Sequence, residues 1–130
     1  MSALSDFSEK LLMDWLMTTG TATRPTVWYL ALYTAAPSDS GGGTEVSGSG
    51  YSRQSVSFDA AASPGGTTSN SNTVSFTASG GNFGIITHIG IHTASTGGSL
   101  LWHGSMSASK TIDDGDTLEF SIGNIDLTIA

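Results

Sequence analysis

At 130 residues the chain can bury one hydrophobic core but hardly two, so a single compact domain is expected. Eleven acidic against four basic side chains give a net charge of −7, which would repel a phosphate backbone and argues against direct nucleic-acid binding. Seventeen glycines with only 12% charged residues suit a turn-rich β-protein, and the lack of cysteine removes disulfides and thiolate ligands, leaving packing to hold the fold.

Chain order begins with a helix. Leu4, Phe7, Leu11, Leu12, Trp15 and Leu16 recur at steps of three and four, which places them on one helical stripe. Asp6 followed by Glu9 reads as its N-terminal cap, and Gly20 as its stop. Two uses of the stripe are open: it covers one end or edge of a sheet, or it forms an arm that docks on a neighbouring subunit. Trp15 between Met13 and Met17 would suit an adaptable contact, because thioethers refill irregular gaps. Acidic Asp6 and Glu9 stand where a secretory signal would be basic, and no apolar run nears the ~20 residues of a membrane span, so assembly in a bacterial host cytoplasm without a membrane partner is expected.

Pro25 disfavours helix at Arg24 and opens an extended segment. Residues 27–34 are apolar on both faces, so this strand should be central, or covered on its outer face by the helix or a partner. Residues 35–50, with Pro37 and three consecutive glycines, read as a mobile surface loop, either a plain connection or an interaction loop that orders on assembly. Over residues 52–58, Gln54, Val56 and Phe58 alternate with Arg53, Ser55 and Ser57, predicting one buried and one wet face. Arg53 belongs to a surface ion pair or to a salt bridge between subunits.

Residues 60–72 read as a small-residue linker with a turn at Pro64, Gly65 and Gly66. A short strand over 73–77 points Val74 and Phe76 the same way, and residues 83–93 form a longer strand with Ile85, Thr87, Ile89 and Ile91 on one face. Gly97 and Gly98 supply a hairpin turn, after which Leu100, Trp102 and Met106 share a side. Residues 116–122 and 124–129 read as a pair of alternating strands joined at Gly123. The fold class is therefore all-β, a two-sheet antiparallel sandwich or jelly roll with one N-terminal amphipathic helix, divided into a helical arm over 1–24 and a sandwich over 25–130.

Chemical sites are few. His88 and His92 are four residues apart, which on a strand spans about 13 Å and prevents both from reaching one ion. Asp113, Asp114 and Asp116 suggest calcium, but the closing Glu of such a loop is replaced by Asn124, and Asp114-Gly115 reads better as a hairpin turn. Asp59, Glu119 and Asp126 are scattered with no motif linking them, and the triple glycine lacks a phosphate-binding lysine. No catalytic residue, metal or cofactor is expected, and the chain is read as non-enzymatic.

The run Trp28-Tyr29-Leu30-Ala31-Leu32-Tyr33-Thr34-Ala35-Ala36-Pro37, followed by Gly41-Gly42-Gly43-Thr44-Glu45-Val46 and by Tyr51-Ser52-Arg53-Gln54, resembles small tailed-bacteriophage virion proteins of the tail-fibre-like or minor structural kind. The resemblance extends to Leu12-Met13-Asp14-Trp15-Leu16, Thr87-His88-Ile89-Gly90-Ile91 and Leu100-Leu101-Trp102-His103-Gly104. It implies a virion structural protein, and similar small β-proteins act as capsid cement. Capsid decoration is the leading expectation, with a homo-oligomer, a trimer, clamping the major capsid protein or other virion proteins. The alternatives are a tail-associated or fibre-tip module touching the host surface, or a carbohydrate-binding module using Trp28, Tyr29, Tyr51 and Trp102. Leu12, Trp15, Leu16, Tyr51 and Arg53 are the candidate subunit-interface residues.

Overall fold

The computed structural model describes residues 2–63 and 65–129, so Pro64 of the expected turn lies outside the described residues. Its elements run β1 (Ser2–Leu4), α1 (Asp6–Met17), β2 (Tyr29–Ala35), β3 (Thr44–Glu45), β4 (Gln54–Ser55), β5 (Thr67–Ser69), β6 (Val74–Thr77), β7 (Gly84–His92), β8 (Leu100–Ile112), β9 (Thr117–Phe120) and β10 (Asp126–Thr128). The architecture is mostly β and sandwich-like. One layer is a six-stranded sheet in the order β1-β8-β7-β2-β3, with β4 also paired to β2. The other consists of two short ladders, β10-β5 and β6-β9. All pairings between these strands are antiparallel.

The core lies between the layers. Leu30 and Leu32 of β2, Ile86 and Ile91 of β7 and Leu101 and Ile112 of β8 meet Val74 and Phe76 of β6, Leu118 and Phe120 of β9, and Leu127 of β10. Each small ladder shows the alternation of a half-wet strand: Val74 and Phe76 are buried while Ser75 and Thr77 are exposed. The aromatic rings cross rather than merely coexist, with Phe76 edge-on to Phe120 at 6.4 Å between centroids.

β2 is central, as its double apolar face requires, and Leu30, Ala31, Leu32 and Tyr33 are all buried. On its outer face Tyr33 lies beside Gly90, where a Cβ would approach the Tyr33 ring to 2.9 Å and Leu100 to 3.0 Å. Gly90 therefore leaves room for the Tyr33 ring at a site where a Cβ would push the Tyr33 and Leu100 side chains aside. Gly97 and Gly98, at φ of 62° and 69°, make the β7–β8 hairpin turn.

Several local expectations need correction. Leu4 belongs to β1, paired to β8 opposite Trp102, and the helix begins after it. The cap is Ser5 rather than Asp6, since its Oγ accepts from the Ser8 backbone N–H at 3.2 Å, and the helix ends at Met17 with Thr18 as its C-cap, short of Gly20. Residues 35–50 are more than a loop: Pro37 and Val46 are buried, residues 38 and 41 exchange backbone hydrogen bonds of 2.9 Å, and β3 returns to pair with β2. A register shift between Ile86 and His88 breaks the alternation of β7, so Ile86 enters the core and Ile85 is left exposed. Residues 116–122 and 124–129 do not pair with each other, because β9 joins β6 and β10 joins β5. For the same reason Asp114-Gly115 is a turn between layers and not a hairpin.

Candidate interaction surface

α1 is fixed at one end and uncovered at the other. At its N-terminus Ser5 and Ser8 are buried, and both hydroxyls donate to β8, Ser5 to the Leu100 carbonyl and Ser8 to the Leu101 carbonyl at 2.8 Å. The Ser5 N–H also donates to Leu101 at 3.0 Å, and the Asp6 N–H to the Asp39 carbonyl at 2.9 Å. These bonds satisfy groups that a free helix end leaves orphaned.

Past this anchor the apolar residues are not enclosed. Trp15 is 66% exposed, Leu16 63%, Met13 60% and Met17 72%, and Ser8 is the only helix residue that is buried. The expected single stripe is thus not what packs on the sheet. Leu11 and Leu12 are half-buried, and with Trp15, Ala22 and Arg24 they line an apolar groove of about 190 Å³.

Tyr51 and Arg53, the other interface candidates, converge on Glu45 within the chain. Arg53 grips its carboxylate with two donors, Nε to Oε2 at 2.8 Å and Nη2 to Oε1 at 2.9 Å, while Nη1 reaches the carbonyls of Ala94 at 2.9 Å and Gly97 at 2.8 Å. One guanidinium thereby ties β3 to the β7–β8 turn, using the planar fork that lysine lacks. The Tyr51 hydroxyl donates to Glu45 at 2.7 Å and accepts from the Leu32 N–H at 3.1 Å, and its ring stacks on Phe76. Burial by itself would raise the Glu45 carboxyl, but the hydrogen bonds from Arg53 and Tyr51 and the Arg53 charge outweigh it and hold the group below its ordinary value. Burial pushes the Tyr51 hydroxyl up.

The histidines are dispersed. His92 is buried against Tyr33, with 2.7 Å between Nε2 and the phenol oxygen, and its Nδ1 has no partner. Burial, then the nearby Arg53 charge, lowers its pKa to about 4, and burial raises Tyr33 to about 12. His103 pairs with Asp39 at 2.8 Å, and His88 Nδ1 lies 2.8 Å from the Thr87 hydroxyl. Among the described residues no group of three or more His, Cys, Asp or Glu could hold a metal ion. The 113–116 turn spends its oxygens on backbone, Asp116 accepting from the Asp113 N–H at 3.0 Å and Asp114 from the Gly80 N–H at 3.0 Å.

Of the aromatics considered for sugar stacking, Trp28, Tyr51 and Trp102 pack against the core and Tyr29 is half-buried. The exposed aromatics are on α1 instead. Sequence reasoning missed Ser5, Ser8, Glu45 and Asn70. Ser5 had a signal, a serine directly ahead of an acidic first turn; the others carry only tertiary roles. Asn70 is fully buried, donating to the carbonyls of Asn72 at 2.8 Å and Ser121 at 3.0 Å and accepting from the Ile125 N–H at 2.8 Å.

A family model described as podophage GP4 fiber I protein gp80 matches residues 3–128, which takes in α1 and every strand except the first residue of β1. No curated protein matches the chain.

Proposed function

The chain belongs to the podophage GP4 fiber I protein gp80 family, and from that premise we propose that this phage virion structural protein is a fibre-associated subunit of the tail. The observation that carries the reading is the extent of the family match, 3–128, over both the helix and the sandwich. Of the roles expected from the sequence, the tail-associated one gains from a family description that names a fibre, whereas capsid decoration draws nothing from it. Among the described residues there is no coiled-coil or repetitive stalk of the kind a shaft needs, and α1 has 12 residues. The subunit therefore serves as a compact module joined to a fibre rather than as its shaft.

In this role the protein acts by binding and does not turn over a substrate. The half-buried Glu45 is held in structural bonds by Arg53 and Tyr51, and the exposed carboxylates of Asp114 and Asp116 accept from backbone N–H groups. Its partners are other virion proteins, reached through surface that the sandwich leaves apolar. Gold-labelled antibody against the chain, applied to intact particles under the electron microscope, tests the location. Label on the tail is expected. Label distributed over the shell would return the protein to capsid decoration.

A further inference from the structure

A helix that is apolar all round is ordinarily buried, because no orientation on a single support can cover it. Between residues 11 and 17 of α1 only Asp14 is polar, and it is neutralised by an ion pair with Lys10 one turn earlier. The segment is nevertheless the most exposed apolar part of the described chain. Met13, Trp15, Leu16 and Met17 together present on the order of 500 Å² of surface, against about 800 Å² per partner in a standard interface and a few hundred Å² tolerated on a monomer.

Two features of different shape lie on this one helix. At about 100° per residue, Glu9, Met13 and Met17 form an i, i+4 row with Leu16 beside it, a convex ridge pointing away from the sheet. Leu11, Leu12 and Trp15 lie on another side, where with Ala22 they make the groove of about 190 Å³, and Arg24 stands at its rim. Ridge and groove also carry opposite unused charges. Neither Glu9 nor Arg24 has a side-chain partner among the described residues, although the whole chain holds only four Lys and Arg.

We propose that α1 joins copies of this chain head to tail, the Glu9/Met13/Leu16/Met17 ridge of one copy seated in the Leu11/Leu12/Trp15/Ala22 groove of the next, with Glu9 meeting Arg24. The charge pair sets the orientation more than the strength of the contact. The patch itself is neutral, so copies that each carry a net −7 can meet there while their acidic bodies stay apart. Because the two surfaces differ, the contact is heterologous and generates a ring or a filament, not a closed two-fold pair. The inference rests on the fold and not on the tail location. An oligomer missing from the tail would overturn the location alone, and a monomer found on the tail would overturn this inference alone.

Sedimentation of the purified full chain over a range of concentrations tests it. The native chain is expected to associate, Leu16→Asp to lose the ridge and Ala22→Arg to lose the groove, each weakening self-association about tenfold or more. Far-ultraviolet circular dichroism and thermal melting of both variants at low concentration, where native chain and variants are all monomeric, are expected to match the native chain. Mixing the two variants is the decisive measurement, since one retains a groove and the other a ridge: a heterodimer that grows no further is expected. Restored association in the Glu9→Arg, Arg24→Glu double variant, with each single variant impaired, would support the charge pair. A native chain monomeric at every concentration, or variants that associate like it, overturns the proposal and leaves the patch to a different virion protein.

Discussion

β2 and the second half of α1 are equally apolar around their circumference, yet the first is sealed and the second stands in solvent. β2 gains its enclosure from both directions at once: neighbouring strands take its backbone, the small ladders cover Leu30 and Leu32, and Gly90 makes room for Tyr33 on the other face. α1 is supported chiefly at its start, by β8 and β1 and by the Asp39 carbonyl, and its firmest bonds come from two serines there. The contrast teaches that apolar periodicity marks surface destined for burial without saying by what. In β2 the cover is the chain's own; over Met13, Trp15, Leu16 and Met17 of α1 the described residues supply little.

The largest effect should come from within the sealed region. Leu32→Ala removes a fully buried side chain from the central strand and is expected to cost about 3 to 4 kcal/mol, read as a lowered midpoint in urea. A cost under about 1 kcal/mol would mean that the two layers pack loosely.

pH sharpens the same comparison. His92 has its pKa lowered to about 4 in the fold, whereas unfolding returns it to 6.5. In between, the unfolded chain holds more protons, so stability is full above pH 6.5 and is lost as pH falls toward 4, by as much as about 2 to 3 kcal/mol. Glu45, held below its ordinary value, acts in the same direction but only at lower pH, below 4.5. Stability measured between pH 6.5 and about 5 isolates the histidine, and His92→Gln is expected to flatten the slope there. An unchanged slope in that variant would assign the dependence elsewhere.

Asn70→Ala comes next, at about 2 kcal/mol, because it strands two carbonyls and one N–H that the amide satisfies. Hydrogen exchange at Ile125 should accelerate with it. Smallest of all is Leu16→Asp, expected to change the folding stability of the monomer by less than about 0.5 kcal/mol, since its side chain touches little. A loss like that of Leu32→Ala would show that the overhanging half of α1 belongs to the core after all.

Much of the fold could be read directly. The double apolar face of residues 27–34 announced a central strand, which forms over Tyr29–Ala35 and leaves Val27 exposed, Val74 with Phe76 and Leu118 with Phe120 announced half-wet ones, and Gly97-Gly98 announced its turn. Pairing was harder. Two alternating strands separated by Gly123 look like a hairpin, but β9 and β10 each find a different partner, because alternation fixes which face is apolar and not which edge is joined. The candidate surface was legible in part. Trp15 and Leu16 were visible as apolar helix residues, and their exposure was not; Tyr51 and Arg53 were visible as polar residues on a strand, and Glu45 as their common partner was not.

By itself the sequence determined an acidic, cysteine-free, mostly β chain with one amphipathic helix, since composition and period act through local backbone preference and through the need to bury one face. Only the tertiary structure decided which strands share a ladder, that Glu45 and Arg53 meet across the chain, and that α1 is anchored by Ser5 and Ser8 and left bare beyond them. Those outcomes depend on contacts between residues far apart in the chain, and such contacts are chosen by the geometry of the whole core rather than by any local pattern.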